Sequence, residues 1–218
     1  MIACYFLFLI VILTNGETQH DAANYARHLV STEIKGSFAT FFHQNDMPLA
    51  SLADFSESCA LDGHLIFVMA DVSVVAKNLQ KNPMGSFLLS ETNCSISDYG
   101  NFPYDPLACA RVSFNGKFEK LESSLDSQNL DYLAFVEKHP AVLDWLSVSS
   151  PHQFHLWKLD IQKIHYIGGY GHLHYIGDID VNVYLQSHSI QQTTYSQETS
   201  YLDEFLNEFR RRYGNKGH

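Results

Sequence analysis

The chain has 218 residues, with 14 Lys and Arg set against 24 Asp and Glu for a formal charge of −10. That balance excludes a general nucleic-acid binder, whose electrostatic footprint is basic. A hydrophobic fraction of 45% supplies a sizeable core, and the length suits one domain with a short extension.

The apolar run from Ile2 to Leu13 has the length of a signal-peptide core and is too short to span a bilayer comfortably. Thr14 and Gly16 fit the small-residue positions of a cleavage site, so residues 1–16 are expected to be a signal peptide. No later run is long enough for a membrane span, and the expected mature protein is secreted and soluble.

Tyr25, Ala26, Leu29 and Val30 recur at helical spacing and predict a helix over Asn24–Ile34, ended by Gly36. Ser37–Phe42 reads as the first strand and Met47–Phe55 as the second, followed by a polar loop over Asp54–Gly63. His64–Met69 reads as a buried strand, Val72–Gln80 as a short helix that stops before Pro83, and Gly85–Ser90 as the next strand. Asn115-Gly116, set between Ala110–Phe114 and Lys117–Leu121, predicts a tight hairpin. Gln128–Glu137 carries a helical face that ends at Lys138-His139-Pro140. Phe154–Ile161 alternates as a strand, Lys163–Ile167 leads into Gly168-Gly169, and His172–Ile176 forms one more short strand. Many short strands without a βαβ rhythm argue for a barrel. Residues 186–200 form a polar linker. Beyond it, Tyr201, Leu202, Phe205, Leu206 and Phe209 make an amphipathic C-terminal helix, with Asp203, Glu204, Glu208 and Arg210–Arg212 beside them.

Cys4 leaves with the signal peptide. Cys94 and Cys109 flank a loop rich in turn residues, Tyr99–Pro106, and are expected to pair in an oxidising compartment. Such a bridge is worth about 3 kcal/mol in the chain-entropy model. Counting also admits a Cys59–Cys94 bridge. Asn93-Cys94-Ser95 is a glycosylation sequon, so Asn93 is the expected glycan site.

There is no G-x-S-x-G, and Gly168-Gly169-Tyr170-Gly171 lacks the Lys and Ser/Thr of a phosphate-cradling loop. Among 12 histidines, His172 and His174 share a strand face with His165 near in sequence, yet no Cys or carboxylate completes a ligand spacing. No metal site and no catalytic residue are assigned.

Several segments fall in a recognisable order. They are Ala26-Arg27, then Lys77-Asn78-Leu79-Gln80-Lys81-Asn82-Pro83, then Pro106-Leu107-Ala108-Cys109, then Gly116. His139-Pro140 with Trp145, Trp157-Lys158-Leu159-Asp160-Ile161 and Gly168-Gly169 complete the series. In these the chain resembles the pyridoxamine 5′-phosphate-oxidase-like split β-barrels, and within them the CREG family of secreted and endolysosomal glycoproteins. The resemblance implies a split β-barrel over residues 24–185, mainly β with flanking helices, that forms a homodimer with two symmetric grooves. Enzyme members hold FMN there, whereas proteins resembling CREG act through protein partners.

An FMN phosphate needs cationic or hydroxyl donors, and the candidates are Lys77, Asn78, Ser86 and Arg111. Val75 and Ala76 stand where flavin- and haem-linked relatives carry polar His and Thr. The reading is therefore a secreted or endolysosomal-lumen homodimer that binds an unidentified protein partner or receptor, without cofactor or catalysis. The alternative is an FMN-dependent oxidoreductase or a flavin- or haem-binding protein. Gly168-Gly169-Tyr170-Gly171 favours the alternative, because it resembles the G-G-F-G segment of bacterial relatives, some of which handle haem.

Overall fold

The computed structural model describes residues 16–92, 94, 108–123, 125, 126, 128–144, 146, 152–169, 171 and 174–188. The N-terminal apolar run, Asn93, Tyr99–Pro106, Trp145, Tyr170, His172 and everything beyond His188 lie outside them.

Helix α1 (Gln19–Thr32) begins at a capping box in which the Thr18 side chain accepts from Asp21 N–H and the Asp21 carboxylate accepts from Thr18 N–H. Strands β1 (Lys35–Phe41), β2 (Pro48–Asp54), β3 (Ser56–Glu57) and β4 (Leu65–Ala70) follow. Helix α2 (Val74–Lys81) then leads to β5 (Met84–Ser90) and β6 (Arg111–Lys120). Helix α3 (Leu130–Lys138), a 3₁₀ turn (Pro140–Asp144), β7 (Phe154–Ile167), β8 (Ile176–Ile179) and helix α4 (Val181–Gln186) complete the chain. Among the described residues no helix is long and apolar enough to cross a membrane.

The strands form one antiparallel sheet in the order β2-β1-β5-β6-β7-β4-β3, with β8 also paired to β7. It is mainly antiparallel and curls into a half-barrel. Strand β7 is shared along its length: Phe154–Leu159 pairs with β4, Ile164–Ile167 with β8, and most of it with β6. Alternation sorts the side chains. On β1 and β5, Phe38, Phe87 and Leu89 turn inward while Ala39, Phe41, Leu88 and Ser90 turn outward. The inward phenylalanines pack at the centre, with the Phe38–Phe67 rings tilted and 4.8 Å apart and the Phe38–Phe87 rings edge-on and 5.1 Å apart. Helix α1 closes one side of this core with Ala22, Ala26, Leu29 and Val30, and a smaller cluster of Ile66, Leu133, Phe135 and Leu156 forms beneath α3.

Four expectations are corrected. Asn115-Gly116 is no hairpin turn, because β6 runs straight through it. Both residues pair with β5, and Val112, Phe114 and Phe118 keep one inward face across the pair. The register to β7 instead shifts between Asn115 and Gly116, a bulge, and a Cβ on Gly116 would lie 2.0 Å from the Asp160 carbonyl oxygen. Glycine is needed there for close strand approach. Gly36 likewise does not end α1 but sits in β1, where a Cβ would meet the Leu88 carbonyl oxygen at 2.6 Å. The Asp54–Gly63 stretch is not all polar loop, since Phe55 is fully buried and β3 pairs with β4. The strand expected over His172–Ile176 begins only at Ile176 and runs to Ile179, with His174 and Tyr175 outside it and His172 and Leu173 beyond the described residues; Lys163–Ile167 continues the strand begun at Phe154.

Candidate functional site

The Lys77–Pro83 segment fastens helix α2 to the β1–β2 turn and starts β5. Helix α2 starts at Ser73, whose side chain accepts from Ala76 N–H at 3.1 Å, and turns Val75, Ala76, Asn78 and Leu79 into the core. Asn78 is fully buried. Its Oδ1 accepts from His43 N–H at 2.8 Å and lies 3.0 Å from His43 Nδ1, while its Nδ2 donates to Thr40 Oγ1 at 3.0 Å. Lys81 Nζ donates to the His43 carbonyl at 2.6 Å, so both residues grip the β1–β2 turn. Asn82 Oδ1 accepts from Met84 N–H at 3.1 Å, which starts β5.

The four phosphate candidates do not converge. Asn78 is committed to the turn, and Lys77 on the outer side of α2 is exposed. Ser86 donates to Asn115 Oδ1 at 2.6 Å on the outer face of the sheet. Arg111 shares that face and donates to the Cys109 carbonyl at 3.3 Å. It sits four residues along β6 from Asn115, or roughly 13 Å. The Cys94–Cys109 disulfide is present, with Cα atoms 5.6 Å apart, and fastens the end of β5 beside the start of β6. Cys59 is free and exposed, and its N–H donates to Asp131 at 2.9 Å. Burial, with the Asp131 carboxylate beside it, pushes its thiol up to about 11.

The histidines are dispersed. His165 Nδ1 is 2.9 Å from Asp178, which also holds Lys163 at 2.9 Å, and both neighbours keep the Asp178 carboxyl below its usual range. His174 Nδ1 instead faces Glu17 at 3.3 Å. Among the described residues no group of three His, Cys, Asp or Glu side chains could hold a metal.

Two further features escaped the sequence reading. The first is a buried ionic cluster joining α1, β3 and α3. Arg27 is 1% exposed and lies 2.6 Å from Glu57, whose Oε1 also accepts from Gly63 N–H at 2.8 Å. Gly63 has φ +88°, and a Cβ there would lie 1.9 Å from Arg27 Nη1, so only glycine fits. Lys138 Nζ donates to the Val30 carbonyl at 3.0 Å and stands 4.1 Å above the Phe55 ring. Burial pushes the Glu57 carboxyl up to about 7 against the pull of Arg27 and Lys138. Burial likewise pushes Lys138 down to about 8 against Glu57 and Glu33.

The second is a half-open groove of about 550 Å³ at the C-terminal end of α1, lined in part by His28, Thr32, Glu33, Ile34, Glu91 and Thr92. It contains none of the phosphate candidates. Glu33 accepts from Thr92 N–H at 2.9 Å and from the Thr92 hydroxyl, and Glu91 accepts from Tyr25 OH at 2.8 Å. His28 Nδ1 is buried without a hydrogen-bond partner.

The outer face of β2, β1 and β5 has a distinct character. Its cross-strand rows read Leu52–Ser37–Leu88, Ala50–Ala39–Ser86 and Pro48–Phe41. Leu52 is 73% exposed, and Phe41, Met84 and Leu88 are each more than 40% exposed. No charged side chain interrupts these rows. The charges stand at the margins, as Lys35 opposite Asp54, the Lys117–Glu119 pair at 2.8 Å and the Lys163–Asp178 pair.

Residues 17–186 match the family model described as CREG, beta-barrel. The chain belongs to that family. The CREG barrel is similar to a haem-binding protein from Mycobacterium smegmatis, at 24% identity and a TM-score of 0.62, over 77% of this chain and 61% of that one. It is also similar to a protein of unknown function from Agrobacterium tumefaciens, at 18% identity and a TM-score of 0.55, over 74% of this chain and 62% of that one. The chain therefore spans less than two thirds of either protein's length. A putative pyridoxamine 5′-phosphate oxidase from Listeria innocua aligns at 15% identity and a TM-score of 0.46, over 67% of this chain and 98% of that one. No curated protein sequence matches the CREG barrel of this chain.

Proposed function

We propose that this CREG-family chain is a secreted or endolysosomal-lumen glycoprotein that forms a homodimer and acts by binding another protein, without catalysing a reaction. The observation that carries the reading is the outer face of β2, β1 and β5, whose three rows beyond the Lys35–Asp54 margin carry no charge. Exposed Leu52, Phe41, Leu88 and Met84 stand together there, with small residues between them. Contiguous apolar surface of this kind marks a protein interface, and charges confined to the rim are the usual anatomy of one. A second copy of the same face is the simplest cover, since a two-fold contact pairs a patch with itself. The phosphate candidates support the absence of a flavin site, because Asn78 is spent on the β1–β2 turn and Ser86 and Arg111 stand far apart. Light scattering of the purified chain tests the dimer. Leu52→Glu with Leu88→Glu is expected to yield a folded monomer, and a wild-type chain that is monomeric at micromolar concentration refutes the reading.

A second reading is favoured by the likeness of fold to the M. smegmatis protein, whose description is haem binding. On that reading the barrel takes haem or flavin. Absorbance spectra after mixing with haemin or FMN decide between the two, since a shifted Soret band or retained flavin after gel filtration replaces the first reading with the second.

A further inference from the structure

We propose that the groove at the C-terminal end of α1 is the docking site for the chain's own C-terminal segment, Tyr201–Arg212, held in cis. The groove is rich in acceptors. Glu33 and Glu91 contribute two carboxylates whose oxygens each accept one internal hydrogen bond, from Thr92, Tyr25 and Ala110, and each keep a second lone pair; His28 Nδ1 is buried without a partner, and the last turn of α1 carries no basic residue. Lys138 donates to the Val30 carbonyl, and Lys35 lines the groove. A helix C-terminus is the negative end of its dipole, so the groove suits a cationic, multi-donor group. Beside the carboxylates, Ile34 is 55% exposed and offers an apolar shoulder.

The C-terminal segment has the complementary chemistry. Arg210, Arg211 and Arg212 make up three of the chain's 14 basic residues, and they follow directly on Phe205, Leu206 and Phe209. A guanidinium matches a carboxylate fork, and the adjoining apolar stripe matches Ile34. The reach is sufficient. Helix α4 packs on α1, and α1 is about 20 Å long at 1.5 Å per residue. The twelve residues between His188 and Tyr201 extend to roughly 40 Å. The segment therefore reaches the far end of α1 from where α4 ends.

The test uses the full chain and zero-length carbodiimide cross-linking, which joins Lys35 to a carboxylate of the segment such as Glu208. A mixture of heavy- and normal-isotope chains separates intrachain from interchain products. Deuterium exchange at Thr32–Lys35 and Glu91–Thr92 is read alongside. The expected result is an intrachain Lys35 cross-link that falls about tenfold in Arg210→Glu/Arg211→Glu/Arg212→Glu and persists when the same three become Lys. Exchange at those amides is expected to rise about tenfold in the Glu variant. These substitutions lie beyond residues 17–186 of the barrel, and an unchanged far-ultraviolet circular dichroism spectrum checks that its fold is kept. Absence of the Lys35 cross-link, a purely interchain product, or indifference to the charge reversal overturns the proposal.

Discussion

Asn78→Ala removes the amide that binds α2 to the β1–β2 turn, and its cost follows from the partners left behind. His43 N–H loses its acceptor at 2.8 Å, and Thr40 Oγ1, in a side chain only 3% exposed, loses its donor at 3.0 Å. Each stranded buried group costs about 1–3 kcal/mol. The vacated volume adds about 1 kcal/mol. The variant is therefore expected to lose about 3–7 kcal/mol. At about 2–4 °C per kcal/mol for a domain of this size, its Tm falls by about 6–28 °C. Thr40→Val strands a single amide hydrogen of Asn78 and costs about 1–3 kcal/mol. The double variant costs less than the sum by about 1 kcal/mol, because both singles break one shared bond. Urea unfolding followed by far-ultraviolet circular dichroism gives all three values, and an unchanged m-value licenses the comparison. A loss below about 1 kcal/mol for Asn78→Ala would refute the argument that this amide fastens the turn.

Gly116→Ala forces its new Cβ against the Asp160 carbonyl at 2.0 Å, so β6 and β7 must part; a loss of about 1–3 kcal/mol in urea unfolding is expected, and a neutral result rejects the close-approach account. The Glu57 carboxyl, raised to about 7, contributes stability that is complete below its unfolded value of 4.5 and lost as pH rises through 7. The unfolding free energy from urea titrations is accordingly expected to rise as pH falls from 7 towards 5, by an amount on the order of 1–3 kcal/mol, and Glu57→Gln flattens that slope. Lys138, lowered to about 8, acts above this window, since its contribution is complete above 10.5 and lost as pH falls through 8. Cys59 is exposed, and with its thiol pushed up to about 11 it is expected to react slowly with alkylating reagents. Asp131→Asn is expected to speed iodoacetamide labelling at pH 8 several-fold, and an unchanged rate removes Asp131 from the explanation.

The sequence disclosed most of the strands because alternation survives in the letters, as in Phe38, Thr40 and Val112, Phe114, Phe118. It misled at Asn115-Gly116, where a local turn preference was outvoted by ladder partners on both sides of β6. Local chemistry carries no record of what a distant strand brings, and Asp160 is what makes Gly116 necessary. The same limit hid the Arg27–Glu57 pair, whose members are separated by thirty residues and meet only when α1 packs on β3. At Asn78 the motif was legible and its task was not. A polar side chain beside a lysine looks like a ligand donor until its burial and its His43 and Thr40 partners are known. The groove at the end of α1 had no signal in the sequence, because Glu33 and Glu91 come from separate elements and look like ordinary surface carboxylates.

The sharing of β7 among three partners bears on how the chain is made. Strand β4 cannot pair with Phe154–Leu159 until roughly a hundred further residues have left the ribosome, which takes about 5–20 s at ordinary translation rates. During that interval Leu65, Ile66 and Phe67 have no central strand to close on, and the nascent chain carries an open apolar edge. The strand that joins the two ends of the sheet is thus among the last to be made, and the barrel can close only once it has emerged.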